Sequence, residues 1–429
     1  MFSMRTDSAH PLRVLFIDFN GYFAAVEQHD DPALAGRPVI VIPLDSEHSG
    51  AIAASYEAKA LGVSRGTSVR EARAICPDIA IRAARHDRYV EMHRLLMAEI
   101  ENHLPILRIF SIDECACRLD ASEQRREAAL ARAREIKVAI AKNIGPCLRA
   151  SIGVAPSALL AKLASELEKP DGLVAIEAHE LPAALAGLPL QAIPGVGEGV
   201  ARRLARAGIE DVPSLWKLAP KQARAIWGSV VGERFWYQLH GHDILDAAPA
   251  AKRMIGHSRV LSPEHQAPAA ARIVARALAL KAASRLRLYG LYASRLGLAL
   301  RLRPGGGHEL ACAFPPTRNS WIFLRALDRL WAEAMAAPGG SGWRAGRIGT
   351  VAVDLTGLGA RPPEPDLLTP DSVHALERRE TGLWETIDGL NRRYRRPLVT
   401  LASHRGLDLN YLGVKIAFSR VPEEAEFLC

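Results

Sequence analysis

The stretch FIDFNGYFAAVEQ, residues 16–28, places a carboxylate at the end of an apolar run. The run begins at Val14 and is typical of a buried strand, so Asp18 brings a charge to a position where a core strand would otherwise continue. Two aromatic residues, Tyr22 and Phe23, and a helical pattern come directly after it. A charge in this place needs a partner, because burying it alone is costly.

A second unusual acidic pair lies in SIDE, residues 111–114. Asp113 and Glu114 are adjacent between two apolar segments that read as a strand, a turn and a strand. Unpaired burial of neighbouring like charges would cost several kcal/mol, and a divalent metal ion would remove that cost. If the strands of Asp18 and of this pair are both central in one sheet, three carboxylates meet at the strand ends.

Three carboxylates of this kind suit Mg²⁺, which prefers hard oxygen ligands, and Mn²⁺ would be accepted by the same oxygens. Two ions about 4 Å apart could clamp an in-line phosphoryl displacement. The residues alone leave a plainer alternative open. Asp18 could cap the helix that follows, while Asp113 and Glu114 could be turn residues in water.

The composition describes an ordinary globular protein of several modules. At 429 residues the chain is too long for one core. No uncharged apolar stretch reaches about 18 residues, and the start, MFSMRTDSAH, has no apolar signal core, so we expect neither a membrane span nor secretion. The six cysteines form no CxxC pair, which favours a reducing cytoplasm.

The basic excess is concentrated in one segment. Residues 251–310 hold eleven Lys or Arg against two acids, an excess of nine in a chain whose net charge is +8. A phosphate backbone is the natural partner of such a block. A solvated face that aids solubility is the alternative.

Hydrophobic periodicity divides the chain into three parts. Residues 12–175 mix strands and helices in an order that suits a ferredoxin-like core. Residues 181–245 are helical, and residues 252–357 repeat the order strand, helix, strand, strand, helix, strand. We therefore expect a multidomain α+β protein.

Several residues have the chemistry to bind phosphate. Tyr56 and Lys59 lie three apart and share a helix face, and Lys162 and Lys169 lie seven apart on another predicted face. Their groups could hold a triphosphate, although each lysine taken singly reads as solvated.

The stretch IPGVGEGVARRL, residues 193–204, predicts a tight hairpin that opens into a helix. Backbone N–H groups at Gly195 and Gly197 suit a DNA phosphate whatever the base sequence, and Arg202 and Arg203 follow. This pattern indicates a helix-hairpin-helix, with a plain turn as the alternative.

Six motifs in order resemble those of the Y-family translesion DNA polymerases, closest overall to the bacterial DNA polymerase IV type, over residues 11–357. They are FIDFNGYFAAVEQ, SYEAKALGV, FSIDEC, SIGVAPSALLAKLASELEKPDG, IPGVGEGVARRL and IGHSRVLSPE. The stretch EAKALGV, residues 57–63, also resembles the polymerase V catalytic subunit.

The resemblance implies a right-hand architecture. Its parts would be a disordered N-terminus (1–10), a ferredoxin-like palm (11–31 and 88–180), fingers (32–87), a helix-hairpin-helix thumb (181–245), a linker (246–251), a βαββαβ little finger (252–360) and an extension of unknown role (361–429).

The resemblance also implies an activity: error-prone extension of a primer with dNTPs past damaged template bases. Asp18, Asp113 and Glu114 would hold two Mg²⁺ ions together with the Phe19 carbonyl. Tyr56, Lys59 and Lys169 match triphosphate contacts, and Phe23 matches the aromatic that rejects a ribose 2′-hydroxyl. DNA contacts are expected at Gly195, Gly197, Arg202, Arg203 and Arg259. No stretch is left for a proofreading exonuclease, and we expect a monomer.

Four features depart from the family pattern. Asn20 stands where Asp is frequent, Lys59 where the DNA polymerase IV type usually has Arg, and Ala53 near a usual hydroxyl. The end, EEAEFLC, lacks a Gln-x-x-Leu-Phe type of peptide, so binding to a sliding clamp is not predicted.

Two other readings of the chain stand beside the polymerase. A non-catalytic Y-family accessory protein would bind DNA only, but such relatives lose the acidic ligands that are present here. A metal-dependent nuclease would explain the carboxylates but neither the ordered motifs nor Phe23.

Overall fold

The computed structural model describes residues 11–43, 45–47, 49–244, 252–303, 305–336, 347–360, 371–394, 396–404 and 421. The expectations for the N-terminus (1–10), for the linker (246–251) and for the C-terminal peptide (423–429) lie outside these residues. The chain forms two compact units: the described residues up to 244, with residue 421, belong to the first, and those from 252 to 404 belong to the second. Within the described residues, no helix has the length and apolar character needed to cross a membrane.

The first unit contains eight strands and ten α-helices in its described residues. The strands are β1 (Val14–Phe19), β2 (Val39–Ile42), β3 (Ala53–Ala54), β4 (Ala80–Ala83), β5 (Ile106–Ile109), β6 (Glu114–Arg118), β7 (Ala150–Ala155) and β8 (Leu173–Ala175). The helices are α1 (Tyr22–Asp30), α2 (Tyr56–Ala60), α3 (Val69–Ile75), α4 (His86–Glu101), α5 (Arg126–Asn143), α6 (Ala158–Leu167), α7 (Glu198–Arg206), α8 (Val212–Trp216), α9 (Pro220–Trp227) and α10 (Val230–Leu239).

A five-stranded sheet in the order β5-β6-β1-β7-β8 is the centre of this unit. All six residues of β1 are buried, as expected for an apolar strand in the middle of a sheet. β1 pairs antiparallel with β6 and with β7, whereas β7 and β8 are parallel. Because β1 and β6 are antiparallel neighbours, the C-terminal end of β1 lies beside the N-terminal end of β6. We call the side of the sheet where these two strand ends meet the sheet edge.

Helix α6 lies directly on β7 at Gly153. A Cβ atom at Gly153 would come within 2.0 Å of the Ala161 carbonyl oxygen, so only glycine permits this close approach. The buried faces of α6 and β1 share one hydrophobic core, which includes Phe16 and Leu160. The packing fixes the position of Lys162, the next residue after Ala161 in α6.

Residues 38–83 form a smaller sheet in the order β3-β2-β4 with its own core. The predicted antiparallel pair β2–β3 is present. β4 runs parallel to β2, and this strand is absent from the sequence prediction. Helices α2 and α3 are capped by Ser55 and Ser68, whose side chains accept hydrogen bonds from backbone N–H groups of the first turn.

The second unit is built on a four-stranded sheet in the order β11-β10-β12-β9. Its strands are β9 (Met254–Val260), β10 (Ala293–Arg303), β11 (Gly307–Thr317) and β12 (Arg347–Thr356), and its helices are α11 (Pro268–Leu288), α12 (Ser320–Ala336) and α13 (Asp371–Arg393). α11 and α12 share one core with the sheet. The predicted α+β class is confirmed. In residues 252–357 the predicted order strand, helix, strand, strand, helix, strand is confirmed as well.

Helix α13 packs beside α11 and α12. A row of polar contacts, which we call the α13 clamp, joins it to the end of β11, to the link before α12 and to α11. The contacts are Thr317–Glu377 at 2.6 Å, Asn319–Glu380 at 2.6 Å, Arg318–Glu385 at 2.9 Å and Arg287–Asp388 at 2.7 Å. Trp384, which is 4% exposed, lies against Trp321 with ring centroids 5.1 Å apart. Residues 371–393 are therefore part of the folded second unit.

Candidate active site

Two of the three acidic residues that the sequence assigns to a metal site, Asp18 and Glu114, lie side by side at the strand ends, and Asp113 is adjacent to them in the chain and in space. Asp18 and Glu114 are register partners on the neighbouring strands β1 and β6. Asp113 lies one residue before β6, and its backbone carbonyl accepts a hydrogen bond from the Phe19 N–H at 2.9 Å. The edge of the five-stranded sheet therefore carries all three of these residues.

A fourth acid, Glu166 of α6, joins this edge. Asp18, Glu114 and Glu166 can bring one oxygen each within 4.8 Å of one another, and we call these three residues the carboxylate cluster. The Asp113 carboxylate is not part of it and accepts a hydrogen bond from Ser111 Oγ at 2.5 Å. The donors are all carboxylate oxygens, which fits a hard divalent cation.

Two lysines contact the carboxylate cluster. Lys169 Nζ lies 2.8 Å from Asp18 Oδ2 and 2.8 Å from Glu166 Oε1. Lys162 Nζ lies 2.5 Å from Glu114 Oε1. Helix α6 ends at Leu167, so Lys169 lies beyond the helix instead of sharing its face with Lys162. Both lysines nevertheless reach the same cluster.

Burial disfavours the ionised forms of Asp18 and Asp113. Asp18 is 6% exposed, and burial raises the pKa of its carboxyl to about 7 although Lys169 acts in the opposite direction. Burial also raises the pKa of Asp113, and the neighbouring Glu114 adds to the effect. For Lys169, burial opposes the charged form, but Asp18 and Glu166 outweigh it and raise the pKa. The site therefore favours additional positive charge.

The Asn20 side chain forms hydrogen bonds with two segments that lie next to the site. Its Nδ2 donates to Ser151 Oγ at 3.0 Å, and its Oδ1 accepts from the Asp171 N–H at 2.7 Å. It thereby ties β1 to β7 and to the turn that carries Lys169. Ser151 Oγ can also donate to Asn20 Oδ1, at 3.3 Å.

Tyr56 and Lys59 of α2 lie within electrostatic reach of the same cluster. Lys59 Nζ lies 4.0 Å from the centroid of the Tyr56 ring. Burial lowers the pKa of Lys59, and the charge of Lys169 lowers it further. Burial raises the pKa of Tyr56, on which Lys169 and Asp18 also act. The structure thus brings three cationic or hydroxyl groups of the predicted triphosphate site to one place.

Phe23 is the second residue of α1, and its exposed fraction is 4%. Its ring stacks on Tyr89, with centroids 4.5 Å apart and an interplanar angle of 14°. Tyr89 in turn donates to Glu27 Oε1 at 2.8 Å. The Phe23 ring is therefore held firmly, three residues after Asn20 in the sequence.

The predicted hairpin at residues 193–198 is present. Gly195 has a φ of +93°, which favours glycine, and Gly197 is the N-cap of α7. Both glycines are exposed, as are Arg202 and Arg203 on the helix. This surface has the groups that a phosphate backbone would need.

The basic segment of the second unit is only partly available to a ligand. Arg272 and Arg276 both pair with Asp328, and Arg287 is buried in the α13 clamp. Arg259 is half-buried and lies on the same side of β9 as the core residue Ile255, the side covered by helices. Arg295 and Arg301 of β10 are exposed.

Comparisons with known proteins agree on one family. A family model described as the impB/mucB/samB family matches residues 17–166, and the model of its C-terminal domain matches residues 252–367. A DNA polymerase IV of Moorella thermoacetica is 31% identical over 414 residues, covering 94% of this chain and 97% of that protein. A DNA polymerase IV of Alkalilimnicola ehrlichii is 33% identical over 242 residues, covering 56% of this chain and 67% of its own.

A solved Y-family DNA polymerase chimera has a similar fold, with a TM-score of 0.66 and 21% identity over 81% of this chain and 100% of its own. The chain belongs to the impB/mucB/samB family, that is, to the Y-family of DNA-directed DNA polymerases. Within that family it is a translesion enzyme of the DNA polymerase IV type.

Proposed function

We propose that the protein extends a primer with dNTPs past damaged template bases by two-metal nucleotidyl transfer, without proofreading. The observation that carries the proposal is the meeting of Asp18 and Glu114, with Asp113 alongside, at one sheet edge next to Tyr56, Lys59 and Lys169. Carboxylates for metal ions and cations for a triphosphate are the two halves that such a reaction needs.

Each group then has a defined task. Bound Mg²⁺ or Mn²⁺ would activate the primer 3′-hydroxyl and offset charge on the phosphates. Asp18, Asp113, Glu114 and the Phe19 carbonyl hold that charge at the sheet edge. Lys169, Lys59 and Tyr56 orient the triphosphate for in-line displacement of pyrophosphate. Phe23 limits the space beside the sugar.

DNA binding is assigned to two surfaces. The exposed amides of Gly195 and Gly197, with Arg202 and Arg203, contact the duplex backbone independently of sequence. The second unit adds the exposed Arg295 and Arg301 of β10. Arg259, although predicted as a DNA contact, is half-buried on the side of β9 that the helices cover. A monomer that works in the cytoplasm completes the proposal.

Primer extension tests the proposal directly. Wild type and Asp113→Ala are compared with Mg²⁺ and dNTPs on intact templates and on templates with an abasic site. We expect wild type to extend both and the variant to be slower by about 10³-fold, the scale of losing one electrostatic stabiliser of the transition state. No extension by wild type would instead favour the non-catalytic DNA-binding accessory protein, and equal extension by the variant would remove the metal role.

A further inference from the structure

The carboxylate cluster is already in contact with two ammonium groups. Glu114 is bonded to Lys162, and Asp18 and Glu166 are both bonded to Lys169. Any divalent ion that binds the cluster must bind carboxylates that these ammonium groups now engage. The two lysines therefore have a direct effect on how tightly the cluster can hold an ion.

Lys162 differs from Lys169 in having no place in the proposed reaction. It lies in the middle of α6, where the close approach at Gly153 fixes the helix on β7. Its side chain is 27% exposed, and its ammonium lies 5.2 Å from the centroid of the Phe16 ring. The ring face offers a second favourable position for the cation if Glu114 turns to another partner.

The charges around Lys162 show what its ammonium does. Glu114 and Asp18 are register partners on adjacent strands, so two carboxylates face the same small volume. A partly buried carboxylate without a partner is strongly destabilising, and an ammonium in contact offsets that cost. The same ammonium repels a divalent cation that approaches Glu114, because like charges at this distance interact strongly away from bulk water.

We infer that Lys162 is a built-in counter-ion of the metal centre, which neutralises Glu114 in the free enzyme and competes with the divalent ion for that carboxylate. The inference rests on the proposed metal-dependent function. It makes the free enzyme fold stably without metal and lowers its affinity for the ion. Full loading of the carboxylates then depends on the extra ligands and negative charge of a bound triphosphate.

Mn²⁺ binding to the full-length protein, without DNA or nucleotide, tests the inference. Free Mn²⁺ is measured by electron paramagnetic resonance during titration of wild type, Lys162→Met and the exposed-site control Lys142→Met. We expect Lys162→Met to bind Mn²⁺ at least fivefold more tightly than wild type, with the control unchanged. Equal or weaker binding by Lys162→Met would overturn the inference, because a lysine that only orients Glu114 for the ion would weaken binding when removed.

A second variant and a second measurement guard against misfolding. Lys162→Arg keeps a cation beside Glu114, so its Mn²⁺ affinity should stay within about twofold of wild type. In EDTA, Lys162→Met should melt below wild type, and saturating Mn²⁺ should raise its melting temperature by more than that of wild type. A rise no larger than in wild type would contradict the competition.

The two proposals can fail separately. Neither the titration nor the melting experiment uses primer, template or dNTPs, so a negative result there leaves the polymerase proposal standing. Loss of primer extension in the wild type would leave the measured competition for Glu114 unchanged.

Discussion

The carboxylate cluster and the α13 clamp are both made of acids paired with bases, but their pairings differ in kind. In the clamp, Arg287 donates to Asp388, to the Arg318 carbonyl and to Ser320, and the side chains of the ion pair are only 4% and 8% exposed. In the cluster, Lys169 is shared by two acids, and Asp18 has a pKa raised to about 7. The clamp has satisfied charges, whereas the cluster is left short of positive charge.

The difference separates a structural site from a site that binds ligands. A buried ion pair with all its hydrogen bonds made is costly to break and holds one arrangement. In the cluster, burial disfavours the ionised form of Asp18, and a bound cation would relieve that unfavourable free energy. Substitutions should therefore have opposite effects on stability in the two places.

The largest expected effect concerns Asp18 and pH. Its folded pKa is raised above the unfolded value of 3.8, so its contribution to stability is full below pH 3.8 and is lost as pH rises to about 7. The shift corresponds to a loss on the order of 4 kcal/mol. Urea unfolding in EDTA, from pH 4 to pH 7.5, should show this decline in wild type and a flatter profile in Asp18→Asn. Identical pH profiles would mean that Asp18 carries no such cost.

Removing a charge from the α13 clamp should lower the free energy of unfolding. Asp388→Asn removes the charge that Arg287 needs and should lower the free energy of unfolding of the second unit by about 3 kcal/mol. Fluorescence of Trp321 and Trp384, which lie beside the clamp, reports the transition. The matched control is Glu385→Gln, whose partner Arg318 is partly exposed, and it should cost under about 1 kcal/mol. Equal losses of unfolding free energy in the two variants would show that the buried Arg287–Asp388 pair contributes no more to stability than the partly exposed pair.

Substitution of Phe23 should lower both the stability of the protein and its selectivity for dNTPs. Phe23→Ala removes a buried ring from Tyr89, which should cost about 3 kcal/mol of stability, and it opens space at the proposed sugar site. We expect selectivity for dNTPs over ribonucleotides to fall by about 100-fold in single-nucleotide insertion assays. Phe23→Leu, which keeps most of the volume, should lose less of both. Unchanged sugar selectivity in the folded alanine variant would leave Phe23 as a core residue only.

The smallest expected effect is at Lys59. Burial and Lys169 lower the pKa of its ammonium, and a lysine cannot form the two parallel hydrogen bonds of a guanidinium. Lys59→Arg should therefore lower the KM for dNTPs by about threefold with little change in kcat. A raised KM in steady-state insertion would indicate that Lys59 does not face the triphosphate.

The sequence predicts this molecule best where burial and charge conflict within a few residues. Asp18 and the Asp113–Glu114 pair are visible because each interrupts an apolar strand, and the element order of the second unit follows from periodicity alone. Strands β4 and β8 were missed because they are short and only partly buried, so AIRA and LVA carry no alternation. Glu166 was missed because SELEK reads as the solvated end of a helix.

Long-range pairing is what local patterns leave out. The contacts of Asn20 with Ser151 and Asp171 span 131 and 151 residues, and no spacing rule predicts them. The same is true of Arg287 and Asp388, 101 residues apart. The basic count of residues 251–310 also overstated the free charge, since Arg272, Arg276 and Arg287 are paired with acids from outside that segment.

Helix α13 has a consequence for mutations in the gene. The matched family region ends at residue 367, while Asp388 and Trp384 complete the burial of Arg287. A nonsense mutation after codon 367 would spare every residue assigned to chemistry and still expose a core-facing arginine and the flank of α12. Such an allele should behave as a loss of protein abundance, with the enzyme degraded before its catalysis is ever tested.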